Sequence, residues 1–466
     1  MTRTPAVPDE EIFHTFGFED KRLVFEPGSM QIFEIDSATE ELMRDMDSLP
    51  EIEKRIGKEK TGESLKKIAG LTRIAELSSR YDKELRHERE RDISSLWLNI
   101  SHICNMHCIY CFAGCGDYGK KKSLMEEKTA KEAVDFLFDS RKKGAKNRIV
   151  FFGGEPLLNF PVLKECVIYA EKKSRENGSK VSFYLITNGT LFNPEIISFV
   201  SEHKIGVQFS LDGPADVHDV LRKYTNGTGT YDTVYNNILL LAKEGSNPVA
   251  VRATITHYNC EISKIYQLLH RMGLGNIGIT PVQAGEDDDF SLKPEDITKI
   301  KEEYNSIAGA ILQSIKSNAQ DIDLNCFSPY FLQLLRKRKT RYYCGSSFNF
   351  LTVTPDGRIY PCHRMISQGD YDMGSLSDGV IIPDSLKNFG ALSVDDKLIC
   401  SKCWAKYLCG GGCSASALYT SGQIETPDNT FCEINKAIIE NALKIFYYLN
   451  VHFDTAGMEK PPAESM

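Results

Sequence analysis

The apolar stretch Leu96-Trp-Leu-Asn-Ile-Ser-His-Ile103, followed at once by Cys104-Asn-Met-His-Cys108-Ile-Tyr-Cys111, decides how the rest of this chain is read. The first part is a run of strand length, and the second holds three cysteines in a CX3CX2C spacing. The cysteines therefore fall in the loop directly after a strand, which is where ligands bind in parallel α/β sheets. Three thiolates this close together can wrap one face of a cubane iron–sulfur cluster, but they supply only three of its four ligands. A tetrahedral zinc is the alternative and would need a fourth ligand, for which His107 or Cys115 could serve. His102 and His107 otherwise read as ordinary loop residues.

Further apolar runs follow at 148–152, 181–187, 205–211, 249–256 and 277–282. Helical patterns lie between them, as in Ala130, Ala133, Val134, Leu137 and Phe138, which share one face ahead of Gly144. Strands this uniformly apolar are expected to be buried on both faces, giving six βα units and a parallel sheet. Periodicity leaves open whether that sheet is flat or curls into a partial barrel.

With 41% hydrophobic residues and a formal charge of −8 over 466 residues, disorder is excluded as the main state, and no general nucleic-acid affinity is expected. No apolar run is long enough to span a membrane, and residues 1–9 carry no signal peptide. The fourteen cysteines are therefore read as reduced thiols of a cytoplasmic protein. Four lie in 104–115 and seven in 344–432, which implies two metal-binding regions; Cys166, Cys260 and Cys326 read as small buried hydrophobes.

Ahead of the first cluster, residues 11–49 suggest strands at 14–18, 22–25 and 30–35, a turn at Pro27-Gly28-Ser29, and a helix opened by a capping box, Ser37-Ala-Thr-Glu40. So small a unit is expected to dock on something larger. Charged helices fill 51–92, and the basic run at 336–341 reads as a solvated helix end. A hairpin at 350–360 turning at Asp356-Gly357, a closing helix at 434–449 and a polar tail complete the chain. The domains expected are 1–92, 93–290, a helical bridge at 291–343, 344–450, and a tail at 451–466.

With Tyr110 before its third cysteine, the CX3CX2C loop resembles the signature of the radical S-adenosylmethionine superfamily. The resemblance implies an α/β fold whose core is an incomplete (β/α)6 barrel, with a 4Fe–4S cluster on Cys104, Cys108 and Cys111. It implies that S-adenosylmethionine chelates the open iron and is split by one electron to a 5′-deoxyadenosyl radical that takes hydrogen from substrate. Gly153, Gly154 and Glu155 would then hold the methionine ammonium. Thr187 and Asn188 end the third strand, and Ser210 and Arg252 would contact ribose and carboxylate.

Cys344, Gly357-Arg-Ile-Tyr-Pro-Cys362, Cys400-Ser-Lys-Cys403, Cys409-Gly-Gly-Gly-Cys413 and Cys432 resemble the loop-rich SPASM auxiliary-cluster domain. That resemblance implies an outer cluster on Cys400, Cys403, Cys409 and Cys432, and an inner one on Cys344, Cys362 and Cys413; zinc knuckles are the alternative. Three cubanes want about twelve ligands, and the two motifs supply ten cysteines. S-adenosylmethionine fills one vacancy. The other suits a substrate thiolate, since no cysteine lies between Cys344 and Cys362. Sulfatase maturases have a further cysteine there and an Asp where this chain has His363.

The N-terminal unit resembles the winged-helix leader-recognition element of peptide-modifying enzymes, which binds a leader as an added strand. Together these features resemble thioether-forming peptide maturases of the sactipeptide and ranthipeptide type. They imply a Cys-containing precursor bound through its leader, an external flavodoxin- or ferredoxin-type electron donor, and no nucleic-acid or membrane partner. His363, Asp212 or Glu155 could take the thiol proton, and Cys115 is either an incidental loop residue or a catalytic thiol. The rivals are another radical modification (a carbon–carbon crosslink, epimerisation, or maturation of a partner enzyme) and a zinc-stabilised peptide-binding scaffold without catalysis.

Overall fold

The computed structural model describes residues 13–453 apart from 85–88, 140, 143, 246–247, 275, 286, 320–323, 381–385 and 387–388. The stretch 1–9 and the polar tail from 454 onward lie outside the described residues. Strands β1 (His14–Phe18), β2 (Lys21–Glu26) and β3 (Gln31–Ile35) form an antiparallel sheet in that order, followed by helices α1 (Ser37–Arg44), α2 (Leu49–Ile56) and α3 (Lys58–Glu84). The cap of α1 is Asp36, one residue before the expected Ser37, its Oδ1 accepting the Thr39 amide at 2.8 Å. Glu40 is drawn to Arg44 and Arg22, at 2.7 and 3.3 Å, so the predicted capping box does not form; a carboxylate at the cap is the stronger acceptor.

The unit docks as expected. Phe16, Phe18, Leu23, Phe25 and Met30 join the same core as the central strands and the closing helix, Asn429–His452. The His14 ring stacks on Trp404 at 3.7 Å and its Nε2 stands 3.0 Å from Glu440, while Phe25 meets Trp404 edge-on at 6.5 Å. Phe25→Ala is therefore expected to cost about 3–5 kcal/mol, read as a lower denaturation midpoint.

The central part runs β4 (Ser95–Ser101), β5 (Met106–Cys108), α4 (Glu127–Asp139), β6 (Lys146–Gly153), α5 (Phe160–Glu176), β7 (Lys180–Thr187), α6 (Pro194–Glu202) and β8 (Gly206–Ser210). It continues through α7 (Ala215–Leu221), β9 (Arg222–Tyr224), α8 (Tyr231–Glu244), β10 (Val249–Ile255), α9 (Ile262–Arg271) and β11 (Asn276–Pro281). Helices α10 (Pro294–Lys316) and α11 (Ser328–Leu335) form the bridge, and β12 (Phe350–Val353) and β13 (Ile359–Tyr360) follow. The main sheet has the order β11-β10-β8-β7-β6-β4-β12-β13, parallel except for the last pair. Its six βα strands lie side by side in chain order, so every crossover advances in one direction, as in a barrel, with no reversal of strand order. β12 extends the sheet beside β4, so the predicted hairpin belongs to the central sheet.

Burial corrects the expectation of strands covered on both faces. In β10, Val249, Val251, Ala253 and Ile255 are buried under helices, while Ala250 and Thr254 are only half-buried; β7 alternates in the same way. The inner face, with Trp97, Phe152, Ile186, Gln208, Ser210 and Arg252, is only half-buried, apart from the exposed Arg252. Apolar inner residues such as Phe152 and Ile186 made the runs look uniform. The closing helix begins five residues before the predicted 434, which places Cys432 in its first turn behind the Asp428 cap. No described helix is long and apolar enough to cross a membrane.

Candidate active site

The radical loop is held by a pairing that local sequence does not announce. β5, inside the cysteine loop, pairs antiparallel with β9, setting Cys108 opposite Arg222. The Arg222 guanidinium, almost fully buried, donates to the Tyr110 hydroxyl at 2.7 Å, and that hydroxyl donates to Asp212. Asp212 also accepts the Thr254 amide at 2.8 Å and has no exposed surface. Arg222, absent from the sequence reading, is thus the cation beneath the loop. Burial pushes the Cys104 thiol up to about 12 and Cys108 to about 11, with Arg222 opposing the rise at Cys108. Cys115, at φ +62°, stands beside Cys111 and Cys108.

A cavity of about 130 Å³ lies against this loop, lined by Cys104, Cys108, Tyr110 and Cys111 from the loop and by Gly153, Gly154, Thr187, Asn188 and Ser210 from the strand ends. Glu155 and Arg252 stand outside its lining. The Glu155 carboxylate, wholly buried, accepts the Leu157 amide at 3.0 Å, the Thr187 hydroxyl at 2.8 Å and the Asn188 amide at 2.8 Å. Burial pushes its pKa up to about 7, against the pull of those three donors. A Cβ on Gly153 would lie 2.3 Å from the Ser101 carbonyl oxygen, and one on Gly154 2.3 Å from that of Ile103. The end of β6 therefore presses directly on the backbone that carries Cys104. Gly116, at φ +100°, closes the same contact, its would-be Cβ 2.7 Å from Gly154 Cα.

Arg252 pairs in register with Ser210 and Gly278 on the inner face, and its Nε donates to the Thr280 hydroxyl at 3.1 Å. No carboxylate pairs with it or with Arg364 among the described residues; enclosure and the neighbouring Arg364 push the Arg252 pKa down. Arg364 lies over the Phe112 ring at 4.9 Å. His363 stacks on Trp97 at 4.8 Å and approaches Phe152 at 4.5 Å, with Nδ1 buried and unpartnered. Enclosure and the Arg364 and Arg252 charges hold it neutral. Of the suggested bases, Asp212 is thus committed to Tyr110 and Thr254, whereas His363 has a free nitrogen.

The seven C-terminal cysteines gather into two groups. Cys362 neighbours Cys413 and Cys344, and Cys432 neighbours Cys409, Cys400 and Cys403. Gly410, Gly411 and Gly412 are all left-handed, at φ +80°, +88° and +71°. That succession, which only glycine adopts without strain, turns Cys409 into one group and Cys413 into the other. The thiols of Cys104, Cys344, Cys362 and Cys409 each accept an amide two residues on, from Met106, Ser346, Arg364 and Gly411. Burial pushes Cys362 and Cys400 up to about 12 and raises Cys432 as well. Buried thiols that would repel one another as thiolates, yet carry amide donors aimed at sulfur, fit iron–sulfur clusters, whose cations remove the repulsion. Among the described residues no three His, Cys, Asp or Glu side chains converge as a single metal ion requires, whereas a cubane spreads its thiolates over separate corners. Cys166 and Cys260 are buried, and Cys326 is half-buried.

Residues 98–269 match the family model described as the Radical SAM superfamily. The cysteine-type anaerobic sulfatase-maturating enzyme of Clostridium novyi (strain NT) is 24% identical over 378 residues, covering 77% of this chain and 97% of that enzyme. The radical SAM cyclopropyl synthase TigE of Paramaledivibacter caminithermalis is 24% identical over 381 residues, covering 77% and 76%. Native anSMEcpe with bound AdoMet superposes with a TM-score of 0.65 at 22% identity over 77% of this chain and 100% of that one, a likeness of fold. The chain thus carries a radical SAM domain, with homologues among the anaerobic sulfatase-maturating enzymes and a radical SAM cyclopropyl synthase.

Proposed function

We propose that this chain is a radical S-adenosylmethionine maturase that joins a cysteine sulfur to a carbon of an acceptor residue in a ribosomally made precursor peptide. One observation carries the reading. Cys344, Cys362 and Cys413 form a group with no cysteine between 344 and 362 to complete it, and Arg252 neighbours both its Cys413 and Tyr110 of the radical loop. This supports an open ligand position near the radical loop, which a peptide thiolate suits.

When bound, S-adenosylmethionine and the cluster on Cys104, Cys108 and Cys111 supply a one-electron cleavage whose carbon radical takes a hydrogen atom from the acceptor. Glu155, behind the cavity lining and with one acceptor position left by Leu157, Thr187 and Asn188, would hold the ammonium of the methionine moiety. Arg252, beside the cavity, would hold the carboxylate and Ser210, on its lining, the ribose. His363, whose Nδ1 has no partner, would receive the thiol proton. Two hydrogens leave per bridge, one as an atom to the carbon radical and one as a proton to His363, and the remaining electron is one that a cluster held by Cys344, Cys362 and Cys413 would accept.

Two further features support a peptide substrate. The outer edge of β3 is unpaired among the described strands, as strand addition by a leader requires. A structure of the same fold, anSMEcpe, holds AdoMet with a Kp18Cys peptide. Maturation of a sulfatase is the second reading, favoured by relatives such as the Clostridium novyi enzyme. It is opposed by His363 in place of Asp and by the missing cysteine after Cys344.

Reconstituted protein is expected to hold about 12 iron atoms per chain; zinc with negligible iron would leave only a binding scaffold. With reductant, S-adenosylmethionine and a Cys-containing precursor, the peptide should become about 2 Da lighter per bridge, with its bridging cysteines resistant to alkylation. Mass restored by a disulfide reductant, or conversion of a sulfatase peptide alone, would overturn the thioether reading. Glu155→Gln should weaken S-adenosylmethionine binding about 10- to 150-fold, the worth of a charged hydrogen bond, as measured by titration calorimetry.

A further inference from the structure

Among the described residues Lys397 is the only buried lysine, 3% exposed. Its ammonium donates to one group, the Gly411 carbonyl at 3.2 Å, and no carboxylate pairs with it among the described residues. The two acids that precede it in the chain are turned elsewhere. Asp395 is held by Arg341 at 2.5 Å and by Lys406 at 3.2 Å, and Asp396 accepts the Ser393 amide and hydroxyl at 2.9 and 2.5 Å. A buried ammonium held by a single carbonyl is costly to take out of water unless a negative charge stands beside it.

The outer cysteine group stands there. Gly411 joins the two, its amide donated to the Cys409 thiol and its carbonyl accepting from Lys397. A Cβ built on Gly411 would lie 3.7 Å from Lys397 Cδ and 3.8 Å from Cys400 Sγ, so the lysine stem and the thiol flank the same glycine. Burial raises both Cys400 and Cys344; the Lys397 charge leads the opposition at Cys400, whereas at Cys344 of the inner group it ranks behind the Ser346 amide and Arg89. The other lysines whose charge reaches Cys400 or Cys432 are Lys406 and Lys436, and these are paired, with Asp395 and with Glu433 at 3.7 Å.

We propose that Lys397 is the counter-ion of the outer cysteine group, an ammonium placed to balance its thiolates and to favour its reduced state over its oxidised one. The inference rests on the iron–sulfur assignment of Cys400, Cys403, Cys409 and Cys432, and not on the thioether reading. A cubane held by four thiolates is anionic in both states and carries one more negative charge when reduced, so a fixed cation stabilises the reduced state more. The two states differ by one electron, with no bond made or broken. Buried as it is, the ammonium is little screened by salt.

The test compares holoenzyme with Lys397→Met, which keeps a stem without the charge, and Lys397→Arg, which keeps the charge. Each is poised with dithionite as the one-electron donor and followed by electron paramagnetic resonance, the signal missing from Cys432→Ala identifying the outer cluster. In Lys397→Met the reduced-to-oxidised ratio of that signal at a fixed potential should fall about tenfold or more, or about 59 mV for one electron, with the other signals unmoved. Lys397→Arg should stay near wild type. An unmoved outer signal in Lys397→Met, or an equal shift in every signal, overturns the counter-ion. If Lys397→Met instead loses about four irons, Lys397→Arg decides: full iron there upholds the charge, and the same loss marks Lys397 as packing alone and overturns the proposal. Wild-type protein that binds zinc with negligible iron removes the cluster assignment, and this proposal with it.

Discussion

Cys104→Ala is expected to bring 5′-deoxyadenosine formation to background while leaving the fold intact and iron near eight atoms per chain instead of about 12. Cys104 joins its own loop to the strand ends. Its thiol accepts the Met106 amide and lies within 3.8 Å of Asn188 Nδ2, and its backbone packs on Gly154 and Gly116. Alanine removes the sulfur but keeps the backbone, so the strand contacts and the C-terminal groups survive. Two cysteines cannot hold a cubane that already depends on an exogenous ligand. Undiminished 5′-deoxyadenosine from the variant would exclude the CX3CX2C loop as the radical centre.

The second large effect is Gly154→Ala. The added Cβ would lie 2.3 Å from the Ile103 carbonyl oxygen, 2.6 Å from its carbon and 3.1 Å from the Cys104 nitrogen, all backbone atoms that no rotamer can move. The end of β6 and the cysteine loop must separate, at a cost of about 1–3 kcal/mol or more for overpacking. The separation falls at the cysteine, so the variant should lose S-adenosylmethionine cleavage and about four of 12 irons, retaining the C-terminal clusters. Gly309→Ala in α10, with nothing within 4 Å of its Cβ, is the control and should be neutral or stabilising by about 0.5–1 kcal/mol. Wild-type cleavage by Gly154→Ala would show that the close approach has no bearing on the cofactor.

Much of the site was legible because its chemistry is local. Three cysteines within one short loop are neighbours whatever the remainder does, and Gly153-Gly154-Glu155 falls at a strand end that periodicity locates. The Gly410–Gly412 run is likewise visible as sequence, although its left-handed turn from one thiol group to the other appears only in the backbone. Arg222 was not legible. It reaches Tyr110 from 112 positions away through the β5–β9 pairing, and those strands are too short for any pattern to show. Gly116 was passed over for the same reason, since its need for glycine comes from Gly154 on another element.

By itself the sequence determined which residues can bear metal, how many ligands they supply, and that six apolar strands alternate with helices, because spacing and periodicity constrain a chain over one loop or one turn. Only the tertiary structure decided the rest. It left the inner face of the central sheet only half-buried, seated the N-terminal sheet on Trp404 beside Cys403, sorted seven cysteines into two groups, and set Arg252, with no carboxylate partner among the described residues, near both the radical loop and the inner group. These are contacts between distant segments, set by which faces must bury apolar area together, and no local pattern encodes a partner that the chain meets only after it folds.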